Sequence, residues 1–353
     1  MRYRRGLVVG KFCPLHNGHR LVIDAALAAC EHVVIISYTK PGFAGYETDK
    51  RAAWLEALYP QTTRLVVDDA WLAQRAAAGE EMPFKTLPDN EGPEELHRQF
   101  CAWLCERHLG GAVEAVFTSE DYGDGFACAL TEQFRKTDPA LPDVAHICVD
   151  KAREQAPVSG TKLRADLFKH RAHVPDAVYV TMIKRIALLG GESTGKSTLS
   201  IALAKHLNTE YVAEYGRDLW EARNGVLAFE DYLHIAQTQI DWEHKASLKA
   251  DTYLICDTTP LTTEFYSQSN CDRVDPQLAV LAGRPYAHVF LCAADFAFVQ
   301  DGWRIDEAFR AHQQDWYRQK LDAAGTPYHV LTGSVAARIA KVMAVLESSA
   351  KAD

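Results

Sequence analysis

The sequence predicts an α/β protein built from two doubly wound parallel-sheet domains in series. Three observations carry this expectation. Short apolar, β-branched runs alternate with helical stretches, the alternation starts afresh past the middle of the chain, and each half opens on a glycine-bearing loop between a strand and a helix. The strands read as continuous apolar runs, not as an apolar/polar alternation, which is the mark of strands buried on both faces of a parallel sheet.

In chain order, strands are expected at residues 7–9, 32–37, 64–67, 115–118 and 146–149, with helices over 20–30, 50–59 and 93–108 between them. The segment Ala172-His173-Val174-Pro175-Asp176 interrupts any helix, and a new strand, Arg185-Ile186-Ala187-Leu188-Leu189, follows. A helix from Thr198 and strands over 253–256 and 288–292 continue the second half. Domains are therefore expected over 1–172 and 184–353. The segment Gly79 to Gly92 is rich in Pro, Glu and Asp and reads as a surface loop that the sequence does not assign to a site.

With 353 residues, 48% hydrophobic and 24% charged, the chain is long enough for two buried cores. A net charge of -9 excludes a broad nucleic-acid footprint, which needs clustered Lys and Arg. The nine cysteines are scattered, with Cys101 and Cys105 spaced to share a helix face and no paired C-x-x-C motifs, so reduced thiols in the cytoplasm are expected. No apolar run approaches the ~18 residues of a membrane span, and the run Gly6-Leu7-Val8-Val9 is too short for a signal peptide.

The first loop, Gly10-Lys11-Phe12-Cys13-Pro14-Leu15-His16-Asn17-Gly18-His19, lies at the carboxyl end of the first strand, where doubly wound sheets bind ligands. A helix N-terminus presents free N–H groups to phosphate, Gly18 allows close approach, and His16 and His19 can hydrogen-bond phosphate oxygens. A second element, Ser159-Gly160-Thr161-Lys162-Leu163-Arg164, places hydroxyls ahead of a helix. Its basic residues in the first turn oppose the helix dipole, which points to a compensating anion; a plain Ser/Thr cap is the alternative.

The second loop, Gly190-Gly191-Glu192-Ser193-Thr194-Gly195-Lys196-Ser197, is a full G-x-x-x-x-G-K-[ST] match between a strand and the helix from Thr198. Its backbone N–H groups cradle phosphates, Lys196 reaches the β- and γ-oxygens, and the Ser197 hydroxyl ligates Mg²⁺. ATP is the expected co-substrate. Asp257, ending the strand 253–256, is placed to bind Mg²⁺ or to accept a proton from a substrate hydroxyl, with a helix cap as the alternative. Asp301-Gly302-Trp303-Arg304 and Arg310 look like the arginine-bearing lid of small-molecule kinases, which neutralises charge on the transferring phosphoryl group; a solvated charged face is the alternative. Glu214-Tyr215-Gly216-Arg217 follows a short strand and is expected to line an acceptor pocket.

Together, H-x-G-H near the start and S-x-T-x-x-R later resemble the nucleotidyltransferase superfamily of nicotinamide mononucleotide adenylyltransferases. The resemblance implies that Lys11, His16 and His19 hold ATP phosphates from one side and Ser159, Thr161 and Arg164 from the other, with no covalent intermediate. The whole chain resembles the bifunctional NadR family, on Gly10 to His19, Ser119-Glu120-Asp121-Tyr122 with its flanking Thr118 and Gly123, Ser159 to Arg164, Gly190 to Ser197, Glu214 to Arg217, and Asp257-Thr258. That family likeness implies a Rossmann-like nucleotidyltransferase domain followed by a P-loop kinase domain. It implies that the second half phosphorylates nicotinamide riboside to the mononucleotide (NMN) and that the first half adenylylates NMN to NAD. Ser119, Glu120, Asp121 and Tyr122 then belong to the adenylyltransferase pocket, and Asp257 becomes the base or hydroxyl anchor of the kinase. The partners implied are these small molecules, with no nucleic acid and no membrane; a homo-oligomer is compatible with the sequence. The first strand begins too early for the helix-turn-helix domain that some family members carry, so DNA-binding repression is not expected. Two rival readings are a nucleotide sensor with little turnover and the same two reactions on another nucleoside.

Overall fold

Apolar runs that lack polar alternation become the inner strands of two parallel sheets. The computed structural model describes residues 2–120, 122–296 and 306–350, which pack as two units, Met1–Tyr179 and Val180–Asp353. The first unit contains β1 (Tyr3–Val9), α1 (Asn17–Ala29), β2 (Cys30–Ser37), α2 (Thr48–Leu58), β3 (Thr63–Val66), α3 (Asp69–Ala77), α4 (Glu94–His108), β4 (Ala115–Thr118), α5 (Gly123–Thr137), β5 (Ala145–Cys148) and α6 (Gly160–Ala165). Its strands are all parallel in the order β3-β2-β1-β4-β5. The chain leaves β1 for one side of the sheet and returns to the other at β4, which opens a crevice at their carboxyl ends. The register Val8 to Phe117 sets the loops after these two strands side by side.

A helix α7 (Asp176–Met182) begins at the last residue of the 172–176 segment expected to break helices. Pro175 sits directly before it, a position where the missing N–H costs the helix nothing. β1 begins at Tyr3, not Leu7, because pairs such as Tyr3 with Cys30 and Arg5 with His32 carry the ladder through polar residues.

The second unit contains β6 (Lys184–Leu189), α8 (Lys196–Leu207), β7 (Tyr211–Val212), α9 (Tyr215–Ala222), α10 (Phe229–Ser247), β8 (Tyr253–Asp257), α11 (Pro260–Cys271), α12 (Pro276–Ala282), β9 (His288–Cys292), α13 (Glu307–Ala323), β10 (His329–Leu331) and α14 (Val335–Ala350). Its parallel order is β10-β9-β6-β8-β7. Period-two alternation divides the central strand between two cores. Ile186 and Leu188 pack with Leu199 and Leu203 of α8 and with Val342 and Leu346 of α14. Ala187 and Leu189 face the other way and pack with Tyr317 and Leu321 of α13. The loop after β6 thus has α8 on one side and α13 on the other.

Two candidate nucleotide sites

The loop after β1 takes its shape from the way α1 is capped. His16 is the N-cap residue, and its Nδ1 accepts the Gly18 N–H at 3.1 Å. His19 returns the favour, its Nδ1 accepting the His16 N–H at 3.3 Å. The rings stack with centroids 3.8 Å apart. Imidazoles therefore do here what Ser, Thr, Asp and Glu side chains do in an ordinary capping box.

That arrangement has a chemical consequence. Burial, followed by Arg153, His173 and Arg164, pulls the His16 imidazole from 6.5 down to about 4. Burial, His16 and Arg153 likewise hold His19 well below its ordinary value. Both rings are neutral at neutral pH, and with Nδ1 accepting from the backbone each must carry its proton on Nε2. Each imidazole is a hydrogen-bond donor that adds no charge. A Cβ on Gly18 would lie 3.0 Å from His16 Cε1, so this glycine makes room for the capping ring, a nearer constraint than the approach of a phosphate.

A cavity of about 430 Å³ gathers the expected segments. Gly10, Lys11, Phe12, Gly18 and both histidines line it from the β1–α1 loop. Ser119, Glu120 and Tyr122 come from the turn after β4, and Ser159, Thr161 and Arg164 from α6 and its cap. Asp121 lies outside the described residues. Ser159 caps α6, accepting the Lys162 N–H at 3.3 Å, and also lines the cavity. Arg164 ties these two lining segments together, donating to the Cys13 carbonyl at 2.7 Å and to Thr161 Oγ1 at 3.2 Å.

Several lining residues escaped the sequence reading. Arg153 donates to Glu120 at 3.2 Å and to the Val158 carbonyl at 3.3 Å. Tyr38 pairs with His97 Nδ1 at 2.8 Å, and Asn90 brings the 79–92 loop to the cavity wall. Arg51, only 2% exposed, donates to Ser37 Oγ at 2.6 Å and to the Lys11 carbonyl at 3.2 Å, bracing the loop from beneath. None of these belongs to a local motif; long-range pairing assembles them.

In the second unit Gly190 and Gly195 adopt positive φ, as does Ser193 between them. A Cβ on Gly190 would meet the Cys292 carbonyl at 2.6 Å, and one on Gly191 the Arg310 carbonyl at 2.7 Å, so neighbouring backbone dictates both glycines. Thr194 Oγ1 closes the turn on the Gly191 carbonyl at 2.8 Å. Lys196 Nζ donates to the carbonyls of Gly190 and Gly191 at 2.8 and 3.0 Å, which folds the ammonium back over the loop. Ser197 and Thr198 are exposed in the first turn of α8.

The register pairing Leu188 with Asp257 delivers a carboxylate one strand over from the P-loop. Asp257 is 3% exposed, and its Oδ1 has no hydrogen-bond partner among the described residues. Burial pushes this carboxyl up, against the pull of Lys196, the Ser197 hydroxyl and Arg217. Glu214 is raised too, by burial first, with Lys196 and Arg217 opposing and Asp257 and Glu192 adding to the rise. A cavity of about 450 Å³ adjoins these groups, with Glu192, Glu214, Arg217 and Glu221 around the rings of Trp220, Tyr232 and Tyr266. Arg310 is 3% exposed on α13, its guanidinium held by the Phe296 carbonyl at 3.0 Å and by Glu307 at 2.7 Å, and it does not line this cavity. Arg304 and the rest of the expected lid run lie outside the described residues.

The profile of the AAA domain family matches residues 185–338, which contain the P-loop. Over 311 residues the chain is 27% identical to the trifunctional NAD biosynthesis/regulator protein NadR of Escherichia coli K12, covering 85% of this chain and 71% of that protein. The Salmonella typhimurium LT2 protein of the same name is 26% identical over 305 residues, with the same coverage. The chain is a NadR homologue. Two NadR crystal structures share its fold. One, in complex with NR, has a TM-score of 0.57 at 17% identity and covers 95% of this chain and 91% of that one. The other, with NAD and AMP-PNP, has a TM-score of 0.59 at 18% identity and covers 94% and 91%. This NadR homologue is a nucleotide-metabolising enzyme with a P-loop nucleotide-binding unit. No helix among its described residues is long and apolar enough to cross a membrane.

Proposed function

We propose that the second unit phosphorylates nicotinamide riboside with ATP and that the first unit adenylylates the resulting NMN, giving NAD and pyrophosphate. The acceptor cavity beside the P-loop carries this reading. Glu192, Glu214 and Glu221 outnumber Arg217 there, and three aromatic rings share the same space. Nicotinamide riboside bears a fixed positive charge on its pyridinium ring, which acidic and aromatic walls favour over a neutral nucleoside. The names of the homologous proteins, which place them in NAD biosynthesis, support the same choice.

In this reading Asp257 receives the riboside hydroxyl proton or orients the hydroxyl, while Lys196 and the loop N–H groups after Glu192 hold the β- and γ-phosphates, those of Gly191 and Glu192 being taken by Gln314 and Gln313. Mg²⁺ fits the donors present. The buried Asp257 Oδ1 lacks a partner among the described residues, Ser197 is close to the same carboxylate, and Mg²⁺ takes one or two protein oxygens and completes its shell with phosphate and water. When bound, the ion neutralises charge on the phosphates. Among the described residues there is no cluster of three or more His, Cys, Asp or Glu suited to a metal, so the all-protein cage typical of a structural ion is not part of this proposal.

In the first unit an oxygen of the NMN phosphate attacks the α-phosphorus of ATP in line, and the bond to the β-phosphate breaks. Lys11, Arg164 and the Nε2–H groups of His16 and His19 stabilise the charge that gathers on pyrophosphate, with Ser159 and Thr161 opposite. The test is product analysis of the purified protein given nicotinamide riboside, ATP and Mg²⁺. NMN followed by NAD, with ADP and pyrophosphate, is the expected result. NMN alone would refute the role given to the first unit, and neither product would refute the riboside as substrate.

A further inference from the structure

Two consecutive glutamines on α13 grip two consecutive residues of the P-loop. Gln314 Oε1 accepts the Gly191 N–H at 3.0 Å, and Gln313 Oε1 accepts the Glu192 N–H at 2.9 Å. Both side chains are buried, at 5% and 1% exposure. They reach the loop because one buried face of β6 packs on α13, as the contacts of Ala187 and Leu189 with Tyr317 and Leu321 require. The same helix presses its Arg310 carbonyl against Gly191.

The grip extends to the acceptor cavity. Glu192, whose N–H is held by Gln313, accepts the Tyr266 hydroxyl at 3.0 Å, and both residues line the cavity. Gln313 neighbours the phenols of Tyr266 and Tyr317 and acts on both through hydrogen bonding. Tyr317 donates to Thr262 at 2.8 Å, and Thr262 is another wall of the cavity. One buried polar network therefore joins α13, the donor loop and the acceptor wall on α11. Gln314 keeps its place in it although its Nε2 has no partner among the described residues, a cost that packing alone does not explain.

We propose that Gln313 and Gln314 are positioning residues for phosphoryl transfer: by holding the N–H groups of Gly191 and Glu192 they fix the P-loop, and the Glu192 carboxylate with it, at a set distance from the acceptor. The inference rests on the kinase reading of this unit. Such a role acts on alignment, so its loss lowers the rate of the chemical step more than it weakens either substrate.

The experiment compares Gln313→Met and Gln314→Met, which keep shape but lose the acceptor oxygen, with Gln313→Glu and Gln314→Glu, which keep it. Riboside phosphorylation, NMN adenylylation and thermal unfolding are measured on the same full-length proteins. The Met variants are expected to lose about tenfold or more in kinase kcat, with KM for ATP and riboside within about threefold and adenylylation unchanged; the Glu variants recover most of the rate. A Met variant with wild-type kcat overturns the proposal. So does a loss that the Glu variants share in full, since that is the signature of packing alone. If a Met variant does not fold, the corresponding Glu variant decides: near wild-type kcat supports the acceptor role, and a deep loss overturns it. If the wild-type protein does not phosphorylate the riboside, the functional reading fails separately, and the same comparison is read from ADP release by the P-loop unit.

Discussion

The two candidate nucleotide sites are built from opposite electrostatics. In the first unit the imidazoles are neutral donors, the cations Lys11, Arg153 and Arg164 surround them, and the Glu120 carboxylate is paired with Arg153. In the second, Lys196 and Arg217 face Glu192, Glu214 and the buried Asp257, whose carboxyls burial pushes upward at Glu214 and Asp257. The difference follows the chemistry proposed for each. A departing pyrophosphate needs donors and positive charge that do not change with pH, whereas a neutral hydroxyl acceptor needs carboxylates that can take or share a proton.

The largest effect that separates the sites is expected from Lys196→Ala. It removes the ammonium held at the Gly190 and Gly191 carbonyls and should cost riboside phosphorylation about a thousandfold, leaving NMN adenylylation intact. His19→Ala should do the reverse, by about a hundredfold, measured as pyrophosphate release from NMN and ATP. Equal losses of both activities from either substitution would break the assignment of one reaction to each unit. Asp257→Asn comes next, with a loss of about a hundredfold in kinase kcat. A near wild-type rate would reduce Asp257 to a structural residue, although its buried Oδ1 has no partner among the described residues.

The pH profiles sharpen the same contrast. Because burial raises Asp257, the acid limb of the kinase should lie above the usual carboxylate value of 3.8. The adenylylation rate should show no inflection near 6.5, since His16 titrates only at about 4 and His19 well below the ordinary value. Stability carries the matching sign. Between 6.5 and about 4 the unfolded His16 binds a proton that the folded one does not, so the first unit loses stability as pH falls through that window and gains none above it. An imidazole-like inflection in the rate of NAD formation would refute the neutral-donor account.

How much of this could be read from the chain depended on distance in sequence. The strands 115–118 and 288–292 appear as their apolar runs announce, because a buried parallel strand leaves its signature locally. The P-loop and the H-x-G-H loop are likewise contiguous and need no partner to be recognised. Arg153, Tyr38 and His97 reach the first cavity from separate elements, and no spacing rule connects them. Gln313 and Gln314 belong to no motif in the sequence, and only the alternation of β6, which places α13 beside the loop, brings them to it. The three-residue strand β10 was missed for a different reason, since so short an edge strand carries almost no pattern of its own.

The smallest effect expected comes from the packing that shapes the first site from behind. A Cβ on Gly123 would lie 1.9 Å from His146 Nε2 and 2.3 Å from its Cε1. The ring cannot slide aside freely, because Asp124 holds Nδ1 and Thr118 Oγ1 holds Nε2, each at 2.8 Å. Thr118 in turn donates to the Glu120 carbonyl at 3.0 Å, so the ring, the start of α5 and the turn bearing Ser119 and Glu120 form one packed unit. Gly123→Ala should therefore destabilise the first unit by about 1–3 kcal/mol, as overpacking does, and lower adenylylation through the displaced turn. Gly42→Ala, where a Cβ meets nothing within 4 Å, should stay within about 0.5 kcal/mol of wild type. Equal unfolding midpoints for the two variants would mean that the His146 ring yields, and that the turn is positioned by something other than this contact.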